Sequence, residues 1–234
     1  MNVKKAVLYG MSLTAVAAVS VFGTLAYLTD KDSVANTFTV GNIEITLDEA
    51  DVDVNGTPIA NADRVKENKY HLIPGQSYTK DPTMTVKAGS EKSYVRALVT
   101  INCASQLDTI FAPDGGVELI DIFQGYDAGW IYKTETRDDT ANTITYEFRY
   151  KDTVDGFDDT GAEKDKVLPA LFKGFTVPGF FDGDDLKALA GLKIEVVGHA
   201  IQASTFKDGV DAAGNVLYTA EDAAWEAFDL QTNP

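Results

Sequence analysis

Two histidines, one cysteine and thirty-six carboxylates are the side chains from which this 234-residue chain would have to build metal, nucleophilic or acid–base chemistry. A zinc protease of the common helical kind needs two histidines four apart on one helix face, with a glutamate between them as base. His71 and His199 each stand alone in a stretch that alternates like a β-strand, so a shared zinc would have to come from a tertiary contact and not from a motif. No G-x-S-x-G elbow is present, and Cys103 has no recognisable partner motif. Glycoside hydrolysis needs two carboxylates placed across a cleft, and spacing along a chain this acidic singles out no pair. We therefore expect a protein that is not an enzyme, with no catalytic residue and no resident cofactor.

Calcium is the ion whose ligands the chain does offer in clusters. Asp155, Asp158, Asp159, Glu163 and Asp165 fall in one loop, and Asp182, Asp184 and Asp185 in another, each presenting several oxygens at close spacing. Neither loop has the ligand positions or the glycine of an EF-hand, and we expect solvated acidic loops, with calcium binding as the alternative. The alternating aromatics Tyr146, Phe148 and Tyr150 are open to two readings, a carbohydrate platform or one face of a sandwich core, and we expect core. Cys103 continues the parity of Val95, Ala97, Val99 and Ile101, so we expect it as a small buried hydrophobe; as the sole cysteine it makes no intrachain disulfide.

The elements around these residues read mainly as strands. Period-two alternation predicts strands over Tyr70 to Ile73, Thr83 to Val86, Ser93 to Ile101, Trp130 to Glu135, Asn142 to Tyr150 and Leu192 to Ser204, with Pro74-Gly75 as a turn. A bent strand or strand pair over Val167 to Val177 is interrupted at Pro169 and Gly174, and Asn55-Gly56 turns a short hairpin over Val52, Val54 and Ile59. Short helices are expected at Gln106 to Phe111 with Ser105 as cap, at Val117 to Phe123, and at Asp184 to Ala190 capped by Asp182 or Asp184. Thr219 to Asp222 resembles a capping box ahead of a helix that packs Trp225 and Phe228 on the sheet. Regular turn spacing along so many short strands predicts an all-β antiparallel sandwich with a few short helices.

The net charge of −16 disfavours nucleic acid and anionic lipid as partners. At the N-terminus, Lys4 and Lys5 precede the uncharged run Ala6 to Phe22 and the small residues Thr24 and Ala26, the order of a secretory signal peptide cut between Ala26 and Tyr27. The run is shorter than the ~20 residues that span a bilayer, so we expect contact with the membrane only through the signal peptide before cleavage. The expected organisation is then a signal peptide over 1–26, a free N-terminal segment over 27–37 and a single β-sandwich domain over 38–234. Phe38 and Val40 share one parity and Ile43, Ile45 and Leu47 the other, with Gly41-Asn42 as a bulge between them.

The stretches GTLAYLTD and NTFTVGNIEITLDE, followed by PGQ and KDPTMTV at Pro74 to Val86, resemble the TasA/camelysin family of secreted proteins, with looser likeness at IQASTF and AAWEAF. The resemblance implies a jelly-roll sandwich, export through a SipW-type signal peptidase, and a homopolymer that forms biofilm matrix fibres. It also implies donation of the N-terminal segment to a neighbouring subunit, for which Leu28, Val34 and Phe38 share one parity, as do Asp30 and Asp32. A monomeric surface-binding module and, further off, a secreted metalloprotease are the alternatives.

Overall fold

Four alternate side chains of one strand, Val95, Ala97, Val99 and Ile101, are no more than 1% exposed, and the molecule is laid around them. The computed structural model describes residues 29–31, 42–112 and 118–232; the signal peptide, its cut, the bulge at Gly41, and Leu28, Val34 and Phe38 lie outside the described residues. In chain order the strands are β1 (Thr29–Lys31), β2 (Ile45–Asp48), β3 (Ser77–Thr79), β4 (Thr83–Val86), β5 (Ser93–Asn102), β6 (Phe123–Gln124), β7 (Trp130–Asp138), β8 (Thr143–Tyr150), β9 (Lys166–Val167), β10 (Gly174–Thr176), β11 (Ile194–Gln202), β12 (Gly209–Val210) and β13 (Val216–Tyr218). The helices are α1 (Ala104–Phe111), α2 (Gly183–Ala188) and α3 (Ala220–Thr232), with a 3-10 turn at Leu119–Ile122.

All pairings among the described residues are antiparallel, in an all-β sandwich-like layout. A five-stranded sheet runs β1-β11-β5-β8-β7, two three-stranded sheets run β2-β4-β9 and β3-β10-β6, and β12 and β13 form a hairpin. The main core joins the inner face of the large sheet to Ile45, Met84 and Val86 of one small sheet and Tyr78, Phe123 and Phe175 of the other. Side chains of this size contribute about 1.5–3 kcal/mol each when fully buried. Tyr146 and Phe148 belong to that core, as their alternation predicts.

Four local expectations are corrected. Tyr70–Ile73 lies outside any strand, because the Tyr78 hydroxyl takes up its backbone, donating to the His71 carbonyl at 2.6 Å and accepting from the Ile73 N–H at 2.8 Å. Ser105 does not cap α1; Asn142, in the β7–β8 turn, does so from a distance, accepting the Ser105 N–H at 2.8 Å. Cys103 is half-buried and takes a left-handed conformation, φ 59°, at the junction of β5 and α1. In β10 the glycine at 174 does not interrupt the strand but permits it, since a Cβ there would meet the Tyr78 carbonyl at 2.3 Å.

Candidate assembly edge

The large sheet ends in β1 on one side and β7 on the other. β1 falls within the segment expected to be free, and pairs along β11 with Thr29 opposite Ile201, Asp30 opposite Ala200 and Lys31 opposite His199. Where β1 sits, β11 is buried on both faces. Ala200 belongs to the main core, whereas Ile201 belongs to a second cluster with Ala224, Trp225 and Phe228 of α3. Gly198 lets β11 lie close to the facing sheet, because a Cβ there would stand 2.8 Å from Met84 Sδ.

Helix α3 covers the outer face of this sheet, and the sequence prepares it at both levels. Its start is the predicted capping box in a variant form: Thr219 Oγ1 accepts the Asp222 N–H at 3.1 Å, and Asp222 Oδ2 accepts from the Thr219 N–H at 3.3 Å and hydroxyl at 2.8 Å. Its charged side chains are all acidic, and Glu221, Asp222 and Asp229 meet basic ones on the sheet. Near the start, Arg149 Nη1 donates to Asp222 at 2.8 Å, and Lys133 lies 3.8 Å from Glu221. The Thr219 hydroxyl, then Arg149, hold the Asp222 carboxyl below the usual carboxylate range, against the opposing effect of burial.

At the far end Arg96 organises the contact. It is 3% exposed on the outer face of β5, donates from Nη1 to Asp229 Oδ2 at 3.1 Å and from Nη2 to the other carboxylate oxygen, and lies 3.8 Å from Glu147. Its Nε donates to His199 Nδ1 at 3.1 Å, which makes Nδ1 the acceptor nitrogen of that ring. The guanidinium lies 4.6 Å from the Trp225 ring centre and 5.0 Å from that of Phe228, and His199 stacks on Phe228 at 4.6 Å. His199 is thus a packing residue on a strand, while His71 is exposed; the two serve different parts of the molecule.

The acidic loops form turns and caps. Asp158 accepts from the Thr160 hydroxyl and N–H and from the Ala162 N–H, which hold its carboxyl low. Asp155 accepts the Phe157 N–H at 3.3 Å, Asp165 pairs with Lys87, and Glu163 bridges to Phe157 through the backbone. Asp182 is the N-cap of α2, Asp185 closes that capping box and Asp184 pairs with Lys187 at 2.7 Å, while Asp159 is exposed. Among the described residues no three His, Cys, Asp or Glu side chains are grouped to hold a metal ion.

Arg96 has no signature in strand alternation, which assigns it to solvent; the available signal was a lone arginine inside an apolar strand, together with a C-terminal helix whose charges are all acidic. No family model, no curated protein and no solved structure matches the chain.

Proposed function

We propose that the chain is a secreted structural subunit of an extracellular matrix fibre, polymerising with copies of itself by exchange of the N-terminal strand. The observation that carries this reading is the seat of β1 on β11, at an edge buried on both faces. A three-residue strand is held by few ladder bonds, each worth about 0.5–1.5 kcal/mol net, so its release costs little and the same seat suits the equivalent segment of another copy. The connection over 32–41, at about 3.3 Å per residue, reaches about 33 Å when extended, enough to cross to a neighbour. The N-terminal resemblance to the TasA/camelysin family supports the same reading, with a SipW-type peptidase as the partner that frees the segment by cutting between Ala26 and Tyr27.

The test compares a chain beginning at Tyr27 with one beginning at Thr37. The longer chain is expected to form filaments by electron microscopy, and the shorter to keep its circular dichroism yet sediment as a monomer. Identical filaments from both chains rule out strand exchange, and discrete particles from both favour the monomeric surface module.

A further inference from the structure

Lysine and glutamate are seldom fully buried unless paired, and a buried pair is often no more stabilising than an apolar one of the same shape. Lys80 and Glu49 are buried together, 8% and 4% exposed, and their contact is 2.6 Å from Nζ to Oε2. The other carboxylate oxygen of Glu49, Oε1, accepts from Asn68 Nδ2 at 2.9 Å. One carboxylate therefore bridges an amine and a carboxamide. The carboxamide is itself held rigidly: its Oδ1 accepts the Val52 N–H at 3.0 Å, and its Nδ2 also donates to the Ala50 carbonyl at 2.8 Å. Half-buried Tyr70 follows two residues after Asn68, with its hydroxyl on the Thr79 carbonyl at 3.0 Å and its ring edge-on to Tyr78 and Phe175.

We propose that Lys80 and Asn68 condense spontaneously into an amide cross-link, with Glu49 carrying protons between them. Transfer of one Nζ proton to Glu49 Oε2, across their 2.6 Å contact, leaves a neutral amine and a neutral carboxyl. The amine lone pair attacks Asn68 Cγ, forming the new C–N bond while the carbonyl electrons move onto Oδ1, which the Val52 N–H stabilises as an oxyanion donor. Glu49 then gives its proton to Asn68 Nδ2 and accepts the second proton from Nζ. As the C=O bond re-forms, the bond from Cγ to Nδ2 breaks and ammonia leaves, taking the remaining proton as ammonium and returning Glu49 to its carboxylate. The sum is one ammonium side chain plus one carboxamide giving one secondary amide plus ammonium, with no oxidant or cofactor. Such a bond ties the chain ahead of β3 to the residue just after it, a covalent staple in a protein whose single cysteine makes no internal disulfide.

The test is the intact mass of the purified folded protein followed by a tryptic map. The expected mass is lower than that of the sequence by one ammonia, and the expected map contains a branched fragment in which residues 67–69 hang from Lys80 of an uncut 70–87 peptide. Asn68→Ala and Glu49→Gln are each expected to restore the full mass and cleavage after Lys80. Wild-type protein at full mass overturns the proposal without reference to any variant. A mass deficit that maps to a succinimide at Asn55-Gly56 overturns it too, and a branched fragment persisting in Glu49→Gln removes Glu49 from the reaction.

Discussion

The two edges of the large sheet solve the same problem in opposite ways. β7 has nine residues, of which Trp130 alone is buried, and its ladder with β8 skips a residue at Lys133, with Glu135 and Arg137 further along. Bulges and charges of this kind discourage another strand from adding to an exposed edge. β11 carries Gly198, Ala200 and Ile201 buried near its end, and its outer edge is covered by β1. One edge is made safe to leave open, and the other is made to be occupied. The difference teaches that openness to an added strand is local, set by which edge lacks deterrents, and under the proposed function the backing of α3 on the β11 side belongs to the same device.

The sharpest way to break the contrast is Arg96→Ala. It leaves Asp229 without its guanidinium and removes the cation from the Trp225 and Phe228 rings; loss of one partner of a buried pair costs about 3–5 kcal/mol, reduced here because Asp229 is 48% exposed. The expected result is a lower denaturant midpoint, with hydrogen exchange rising in β11 far more than in β7. Equal rises in both edges would show that α3 backs them alike. Next in size, Thr219→Ala removes the cap of α3 at the end lying over β8 and β7, for about 0.5–2 kcal/mol in thermal or chemical unfolding. Its effect on exchange is expected to centre on the start of the helix, leaving the Arg96 end protected.

The smallest effect is one of pH. The folded carboxyl of Asp222 is held below its unfolded value of about 3.9, so its contribution is fully present above that pH and is lost as pH falls through the lower folded value. With the side chain 48% exposed, solvent screening keeps the loss below about 1 kcal/mol. Stability measured from pH 6 down to about pH 3 is expected to fall less in Asp222→Asn than in the parent chain.

Much of this was legible where one periodicity dominates. The core strands β4, β5 and β8 follow from alternation, and α3 from its capping box, because in each the local pattern and the buried face agree. Legibility ended where a residue is buried by something distant in sequence. Arg96 points away from the main core and is covered only because α3, far along the chain, docks on it. The Glu49–Lys80 contact joins residues 31 apart, and Asn142 reaches 37 residues back to start α1. The β12–β13 hairpin over 209–218 exposes Val210, Val216, Leu217 and Tyr218, so it lacks the hydrophobic alternation by which a half-buried strand is read.

The chain has two tryptophans, and the fold has put one beside each edge. Trp130 opens β7 with its indole N–H on the Pro169 carbonyl at 2.9 Å, while the buried Trp225 N–H has no hydrogen-bond partner among the described residues and its ring faces the Arg96 guanidinium. A hydrogen-bonded indole and a dry one beside a cation are different chromophores. With Trp130 replaced by phenylalanine, the remaining emission becomes an optical gauge of α3 on its sheet, readable without a label through unfolding and through the proposed assembly.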